Sequence, residues 1–482
     1  MTAKLFPRGA HPLEQGINVR VLAVARRAGV KIYLVGGYLR DVLMGRLGGH
    51  GLPKDFDYAV SGAAVPFARA VAAELNGHFV LLDADSDTAR VVLEDGTMLD
   101  FAGCVGGGIE SDVVRRDFTM NALAWDPDRP DEILDLVGGR ADIASRIIRA
   151  ISESNFVDDP LRMLRAFRFL ATIGGTIETG TAAMIKRHCR LIASTAAERV
   201  CYELFLILDS PSAGSALKQM GATGLVEVIF PELAATRAVP PNAFHHLGLW
   251  DHSLEAVCQA EYLLPALPEW ALPDLAGELS SGVTRLAATK LACLIHDIGK
   301  PDTWAVTPEG RHTFYGHDRL GAEMTERIAL RLKWSRPLER FVVKLVRWHL
   351  RPGQLFHQGQ PTDRAIHRFY RALGPDVPPL LLLALADLGA TRGTGMDPEV
   401  RASLEDNLLG LLKRFPAFRE GASKQARLLD GRQVMRLLGV GPGPLLGELL
   451  EALAEAQALN EVSTRKDAER FVAELYRQKH AK

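Results

Sequence analysis

Two groups of residues in this chain have types and spacings suited to chemistry. The first begins in the run Leu34-Val-Gly-Gly-Tyr-Leu-Arg-Asp41 and continues, fourteen residues after Asp41, in Asp55-Phe56-Asp57. Gly36 and Gly37 close an apolar run and open a helix that starts with Arg40 and Asp41. Glycines at such a turn let a phosphate approach the backbone, and the helix start favours an anion. Alternate residues of a strand share a face, so Asp55 and Asp57 point the same way. Two carboxylates held together repel unless a cation lies between them, and oxygen ligands of this kind suit Mg²⁺. Asp100, at the end of a later hairpin's second strand, adds a third carboxylate. An isolated Asp-x-Asp is most often a pair of solvent carboxylates. The order Gly-Gly, Arg-Asp, Asp-x-Asp is what points to catalysis.

The second group is made of histidines. Nine of the 14 lie between His245 and His367. His252 stands in a helical stretch, Trp250-Asp-His-Ser-Leu-Glu255. The segment Leu291-Ala-Cys-Leu-Ile-His-Asp-Ile-Gly-Lys300 places His296 and Asp297 at the end of an apolar helix. His317 follows in Tyr315-Gly-His-Asp318, His349 in Arg347-Trp-His349, and Asp387 ends the apolar helix Leu380 to Ala386. Imidazoles and carboxylates drawn from several helices suit a transition-metal site or a two-metal site. Lys300 either supports a phosphate or caps its helix. His245 and His246 are close enough to His252 in sequence to be considered. His312, His357 and His367 have no assigned role.

The elements that must position these residues differ along the chain. Over the first ~130 residues strand signals alternate with helix. Ile32 to Val35, Phe56 to Val60 and Phe79 to Leu82 read as strands, and Val65 to Leu75 as a helix. Ala89 to Leu93 and Met98 to Ala102 read as a hairpin turning at Asp95-Gly96. From about Asp142 strand signals become rare and Leu/Ala/Arg segments of helical period run almost to the end. Pro and Gly mark the breaks: Pro240-Pro241, an irregular insert over Leu264 to Gly282, Gly389 to Pro398, and Gly439 to Pro444.

The whole chain has 482 residues, 57 Lys+Arg and 58 Asp+Glu, too long for one core and too neutral for a uniformly basic coat. Between residues 140 and 199 there are ten Lys/Arg against six Asp/Glu, a modest basic surface. Five scattered Cys with no CxxC pair argue against a disulfide framework and fit a reducing cytoplasm. No signal peptide opens the chain, and the longest apolar run is far short of a membrane span, so no membrane partner is expected.

The run Leu34 to Val60 resembles the head of the class II tRNA CCA-adding enzymes and bacterial poly(A) polymerases. The likeness continues in order through Arg115-Arg-Asp-Phe-Thr-Met-Asn-Ala122, Asp135 to Asp142, Asp158-Asp-Pro-Leu-Arg-Met-Leu-Arg-Ala-Phe-Arg-Phe169 and Ala197-Glu-Arg-Val-Cys-Tyr-Glu-Leu204. The resemblance implies that Asp55 and Asp57 hold Mg²⁺ at a catalytic centre, to which Asp100 would add the third carboxylate read above. It implies that Gly36, Gly37 and Arg40 contact the triphosphate, and Arg116 and Asp117 the phosphate and ribose. Asp159 and Arg162 would read the incoming base, with Arg165 and Arg168 supporting them or holding phosphates. These four residues are spaced three apart, so one side of a helix is expected to carry them. The pattern His252, His296-Asp297, Asp387 resembles the HD phosphohydrolase superfamily, with His317 and His349 where two-metal members place further ligands. It implies a divalent transition metal there.

The expected fold is α+β: a nucleotidyltransferase head of mixed sheet and helices, then an all-α body containing a helical HD domain. The expected division is 1–140 head, 141–240 helical neck, 241–395 HD domain and 396–482 helical tail. The implied partners are a tRNA 3′ end, CTP and ATP. Nothing in the pattern specifies an oligomeric state. Two departures bear on specificity. The fourth motif opens Asp158-Asp159 where relatives have Glu-Asp. Only fourteen residues separate Asp100 from Arg115, and the segment Phe101 to Gly108 lacks Arg. The short loop leaves CCA, CC-only, A-only and poly(A) addition open. A rival of another class is an HD hydrolase whose head only binds RNA.

Overall fold

The computed structural model describes residues 6, 10–46, 54–104, 106, 108–424 and 427–480, though no side chain of 422–424 or 480. The chain forms two compact units, Met1–Pro231 and Glu232–Lys482.

The first unit opens with a seven-stranded sheet. Its strands are β1 (Lys31–Val35), β2 (Asp55–Ser61), β3 (His78–Asp83), β4 (Thr88–Val92), β5 (Met98–Gly103), β6 (Leu123–Trp125) and β7 (Leu134–Asp135). Their order is β3-β4-β5-β2-β1-β6-β7. Only β2 and β5 pair in parallel; the other neighbours are antiparallel, so the sheet is mixed as expected. The alternating burial of β2 follows from its sequence. Phe56 and Tyr58 point into the core at 1% and 3% exposure, while Asp55 is exposed and Asp57 half-buried on the other face. The parallel pairing sets Asp57 opposite Asp100. The β4–β5 hairpin turns at Asp95-Gly96, where Gly96 has φ 82°. The sequence signals overlooked β6 and β7, both too short to show a period.

Beyond the sheet, the helix Leu161–Ile173 buries Leu, Met and Phe on one face and packs on Ala197–Leu208 and Ala213–Ala222. The expectation of an all-helical body needs correcting in detail. Short ladders join Ile147–Ile148 to Thr176–Ile177, Glu278–Ser280 to Val283–Thr284, and Ala305–Val306 to His312–Thr313. The Leu264 to Gly282 insert holds a helix, Ala271–Ala276, and one of these ladders. Pro265 and Pro273 sit in the first turns of Leu264–Ala266 and Ala271–Ala276, where a missing N–H costs nothing.

The second unit is built on the helices Leu249–Leu263, Arg285–Ile295, His317–Arg331, Arg336–Trp348 and Val377–Ala390. The Val377–Ala390 helix is almost wholly apolar and lies buried among the others, packed on Leu249–Leu263 and Arg285–Ile295. The helical stretch 363–390 is apolar enough to cross a membrane, yet 67% of its apolar window is buried within the protein, as in a core helix. A separate small core, with Val434, Leu449, Ala468 and Val472 fully buried, holds the C-terminal helices together.

Candidate active site and second metal centre

In the first unit, β1 ends at Val35, directly opposite Asp57 on β2. The chain then turns through Gly36, whose φ of 74° favours glycine, into the helix Gly37–Leu43. A Cβ on Gly36 would lie 2.9 Å from Asp57 Oδ2 and 3.5 Å from Arg116 Nη1. The turn therefore brings backbone, carboxylate and guanidinium into one place. Asp57 accepts a hydrogen bond from the Gly37 N–H. Burial pushes its pKa above the usual carboxylate range; Asp100 adds to the rise, while Arg116 and Arg165 oppose it. A half-buried carboxylate held in this way, beside Asp55 and Asp100, has the donor chemistry for a hard divalent cation.

Asp100 is placed in register as expected but is not free. Arg90, its partner on β4, donates to it from Nε at 2.7 Å and Nη2 at 2.8 Å. Arg40 donates to both oxygens of Asp41, at 2.9 and 3.0 Å, and to Asn121 Oδ1 at 2.8 Å. Arg116 donates to Asp112 at 2.9 Å, and its buried Nε has no partner.

Asp117 is buried at 6% exposure. It accepts from the Phe118 N–H at 2.8 Å, Asn121 at 3.0 Å and Arg165 at 2.8 Å. Burial raises its pKa, but Arg165 and these donors outweigh that and hold it below the ordinary value. Arg168 is likewise fixed, by Glu203 at 2.7 Å. The Phe169 ring lies beneath three guanidinium groups, 5.1 Å from Arg40, 5.8 Å from Arg165 and 4.5 Å from Arg168.

The expectation that Asp159 shares a helix face with Arg162, Arg165 and Arg168 is not met. Asp159 caps the helix Ser154–Asp158 in an extended conformation, φ −140° and ψ 94°, and the next helix begins at Leu161. Pro160 is the reason, since the residue before a proline is driven out of the helical region. The Asp159 carboxylate meets Arg199 Nη2 at 3.3 Å, and Arg162 Nη1 donates to the Arg115 carbonyl at 2.8 Å. Arg199 and Glu203 were not singled out from sequence, although both stand in the fifth motif. Their three- and four-residue spacing from apolar neighbours was the available signal. The basic surface over 140–199 is also less open than its charge suggests. Arg149, Arg165, Arg168, Arg187 and Arg199 are all in ion pairs.

In the second unit the six expected residues do converge. His252 lies in the first turn of Leu249–Leu263 and Asp387 in the last turn of Val377–Ala390, His296 and His349 cap the C-terminal ends of their helices, and His317 opens its helix. His252, His296 and Asp387 form one trio and Asp297, His317 and His349 another, with ligand atoms within 4.8 Å of one another in each. Asp297 lies between them. Its Oδ2 is 3.2 Å from His296 Nε2 and 2.5 Å from Lys300 Nζ, and its Oδ1 is 3.2 Å from His317 Nε2. His252 Nε2 is 3.1 Å from Asp387 Oδ1. The Nδ1 atoms of His296, His317 and His349 pair with the carbonyls of Cys293, Phe314 and Val346 at 2.9, 2.7 and 2.7 Å. Those bonds turn each Nε2 lone pair towards the centre, the usual preparation of a metal-binding imidazole. Both Asp297 oxygens are buried, facing only the Lys300 ammonium and the imidazoles among the described residues. Burial holds the His349 pKa down at about 4. Burial also disfavours charge on His296, but Asp297 and Asp387 prevail and push it up to about 10. This donor set fits divalent metal.

A mixed sheet carrying carboxylates beside a Gly-Gly turn, followed by an Arg-rich helix, defines a nucleotidyltransferase head. The second unit contains an HD metal domain. Family models agree. "Poly A polymerase head domain" matches residues 102–149, "Probable RNA and SrmB- binding site of polymerase A" matches 175–236, and "HD domain" matches 249–388. The chain is 36% identical to the A-adding tRNA nucleotidyltransferase of Deinococcus radiodurans, over 91% of this chain and 94% of that one. It is 34% identical to the CC-adding tRNA nucleotidyltransferase of Thermus thermophilus, over 91% and 92%. The chain belongs to the tRNA nucleotidyltransferase family, and both its head and its HD domain are of divalent-metal-dependent types. Its fold is also that of the Thermotoga maritima CCA-adding enzyme solved with tRNA, with TM-score 0.64 and 22% identity over 95% of each chain.

Proposed function

We propose that this chain adds nucleotides to the 3′ end of tRNA, building or repairing CCA from CTP and ATP without a template strand. The observation that carries this reading is the union, in one unit, of Asp57, Gly36 and Arg116 at the end of β1, with Asp159, Arg162 and Arg199 nearby in sequence motifs of the same family. Asp55 and Asp57 would hold Mg²⁺, which would supply activation of the attacking hydroxyl and charge neutralisation at the pyrophosphate. Asp100, held by Arg90, adds negative potential beside Asp57. Gly36, Gly37, Arg40 and Arg116 receive the triphosphate, and Asp117 orients Arg165 and Asn121 below the ribose. Asp159 accepts from the base edge and Arg162 donates to it, so a carboxylate and a guanidinium stand in for a paired base. Each already has a protein partner, Arg199 or the Arg115 carbonyl, that the base displaces.

A second reading is supported by the relatives. The relatives at 36% and 34% identity, matched over more than nine-tenths of their length, are named A-adding and CC-adding, so this chain adds a single kind of nucleotide in that reading. The loop after Asp100 bears on the choice. Val105 and Gly107 lie outside the described residues, and the helix Ile109–Val114 follows. Incubation with tRNA truncated at each of three 3′ positions, with CTP or ATP separately, decides between them. Two C then one A supports the first reading; a single nucleotide type supports the second; long A runs on any RNA overturn both.

The HD domain hydrolyses phosphate esters in this account. His252, His296, Asp297 and Asp387 would hold a divalent transition metal, with His317 and His349 as further ligands, and it would supply Lewis-acid chemistry at the phosphate. The functional division follows the boundaries 1–140, 141–240, 241–395 and 396–482. Five free cysteines suit a reducing cytoplasm.

A further inference from the structure

A cavity of about 820 Å³ opens in front of Asp297, Lys300, His349 and Asp387. That is within the ~300–1,000 Å³ of pockets that bury a small organic molecule. Its composition is uneven. Lys300 is the one fixed cation among its lining residues, and it sits at the metal end, against Asp297. The wall supplied by the helix Pro398–Lys424 gives Val400, Leu404, Asn407 and an acid, Glu399. Phe244 and Val400, which also line it, are 43% and 61% exposed.

A polyphosphate or an RNA backbone needs a cation for nearly every phosphate. This cavity offers one fixed cation, Lys300, with His245 and His357 as its other basic lining groups outside the metal ligands, and an acid, Glu399. Apolar walls instead gain from an apolar or aromatic group by removing it from water, at about 25 cal/mol per Å². We propose that the HD centre takes a small phosphate ester carrying one phosphate on an uncharged, largely apolar or aromatic group. It does not take a polyphosphate or a phosphorylated RNA end. The inference rests on the phosphohydrolase reading above and narrows its substrate class.

The test is calorimetric binding to full-length protein equilibrated with Mn²⁺ and carrying Asp55→Ala and Asp57→Ala, which removes the head's metal site. The probes are phenylphosphonate, methylphosphonate, inorganic tripolyphosphate and a short RNA with a 3′-phosphate. Phenylphosphonate should bind at least tenfold more tightly than each of the others. Leu404→Asp, or Val400→Asp at a more exposed position, should remove that advantage and leave methylphosphonate unchanged. Equal binding of the two phosphonates, or tighter binding of tripolyphosphate or RNA, overturns the proposal while p-nitrophenyl phosphate hydrolysis still supports the wider reading. No phosphonate binding and no hydrolysis overturn both.

Discussion

The carboxylate of Asp159 is met by Arg199, 40 residues on, at 3.3 Å, and not by Arg162, three residues on. This exchange of partners decides what Asp159 can do. A carboxylate tied to a distant guanidinium is held at a fixed orientation until a base displaces that partner. Replacing Arg199 by Ala should therefore lower kcat/KM for the correct nucleotide by roughly tenfold, about 1.4 kcal/mol. Misincorporation of UTP or GTP should rise. Stability should change by less than about 1 kcal/mol, because the pair is largely exposed, 56% and 31%. Steady-state kinetics with all four nucleotides, beside a thermal melt, checks both halves.

Asp57 gives a pH-dependent prediction. Burial raises its folded pKa above the unfolded value, so ionising it in the metal-free protein is uphill. The cost is present at neutral pH and disappears as pH falls below the ordinary carboxylate range, near about 4. Asp57→Asn should raise the melting temperature of metal-free protein at pH 7. The gain should vanish in acid, and Mg²⁺ should stabilise the native protein but not the variant. A variant that melts lower at pH 7 without metal would show that Asp57 is already satisfied by Arg116.

Gly36 is constrained twice, by its φ of 74° and by Asp57 Oδ2 standing 2.9 Å from where a Cβ would lie. Gly36→Ala should cost about 1–2 kcal/mol of stability and displace Asp57. Nucleotide addition should fall by at least a hundredfold with the HD activity intact. Gly37, with no such φ and only Arg40 nearby, should tolerate Ala better. Parallel assays of the two alanine variants distinguish a positional requirement from a general intolerance of the turn.

Much of this was legible because it is local. The Asp-x-Asp alternation places both carboxylates on one face with no knowledge of the rest of the chain. The Asp95-Gly96 turn fixes the hairpin, and the His-Asp doublet marks a helix end. What sequence could not supply is pairing across distance. Asp100 lies beside Asp57 because β2 and β5 run parallel, yet Arg90 from β4 claims its carboxylate. A threefold spacing suggested one helix face for Asp159 and Arg162, and Pro160 broke it. Arg168 and Glu203 are 35 residues apart, and only the packing of their helices makes them a buried pair. In the HD domain all six converging residues were readable because the order His252, His296-Asp297, Asp387, with His317 and His349, resembles the HD superfamily pattern. The two-trio arrangement with Asp297 between them was not, since it depends on the crossing of five helices.

The central claim is that one chain holds two chemically independent metal centres, one for nucleotide addition and one for ester hydrolysis. The most direct measurement compares two double variants, Asp55→Ala with Asp57→Ala, and His296→Ala with Asp297→Ala. Each is assayed for incorporation of labelled nucleotide into truncated tRNA and for hydrolysis of p-nitrophenyl phosphate. The account predicts that the first loses incorporation and keeps hydrolysis, and that the second does the reverse. Loss of both activities in either folded variant would contradict it.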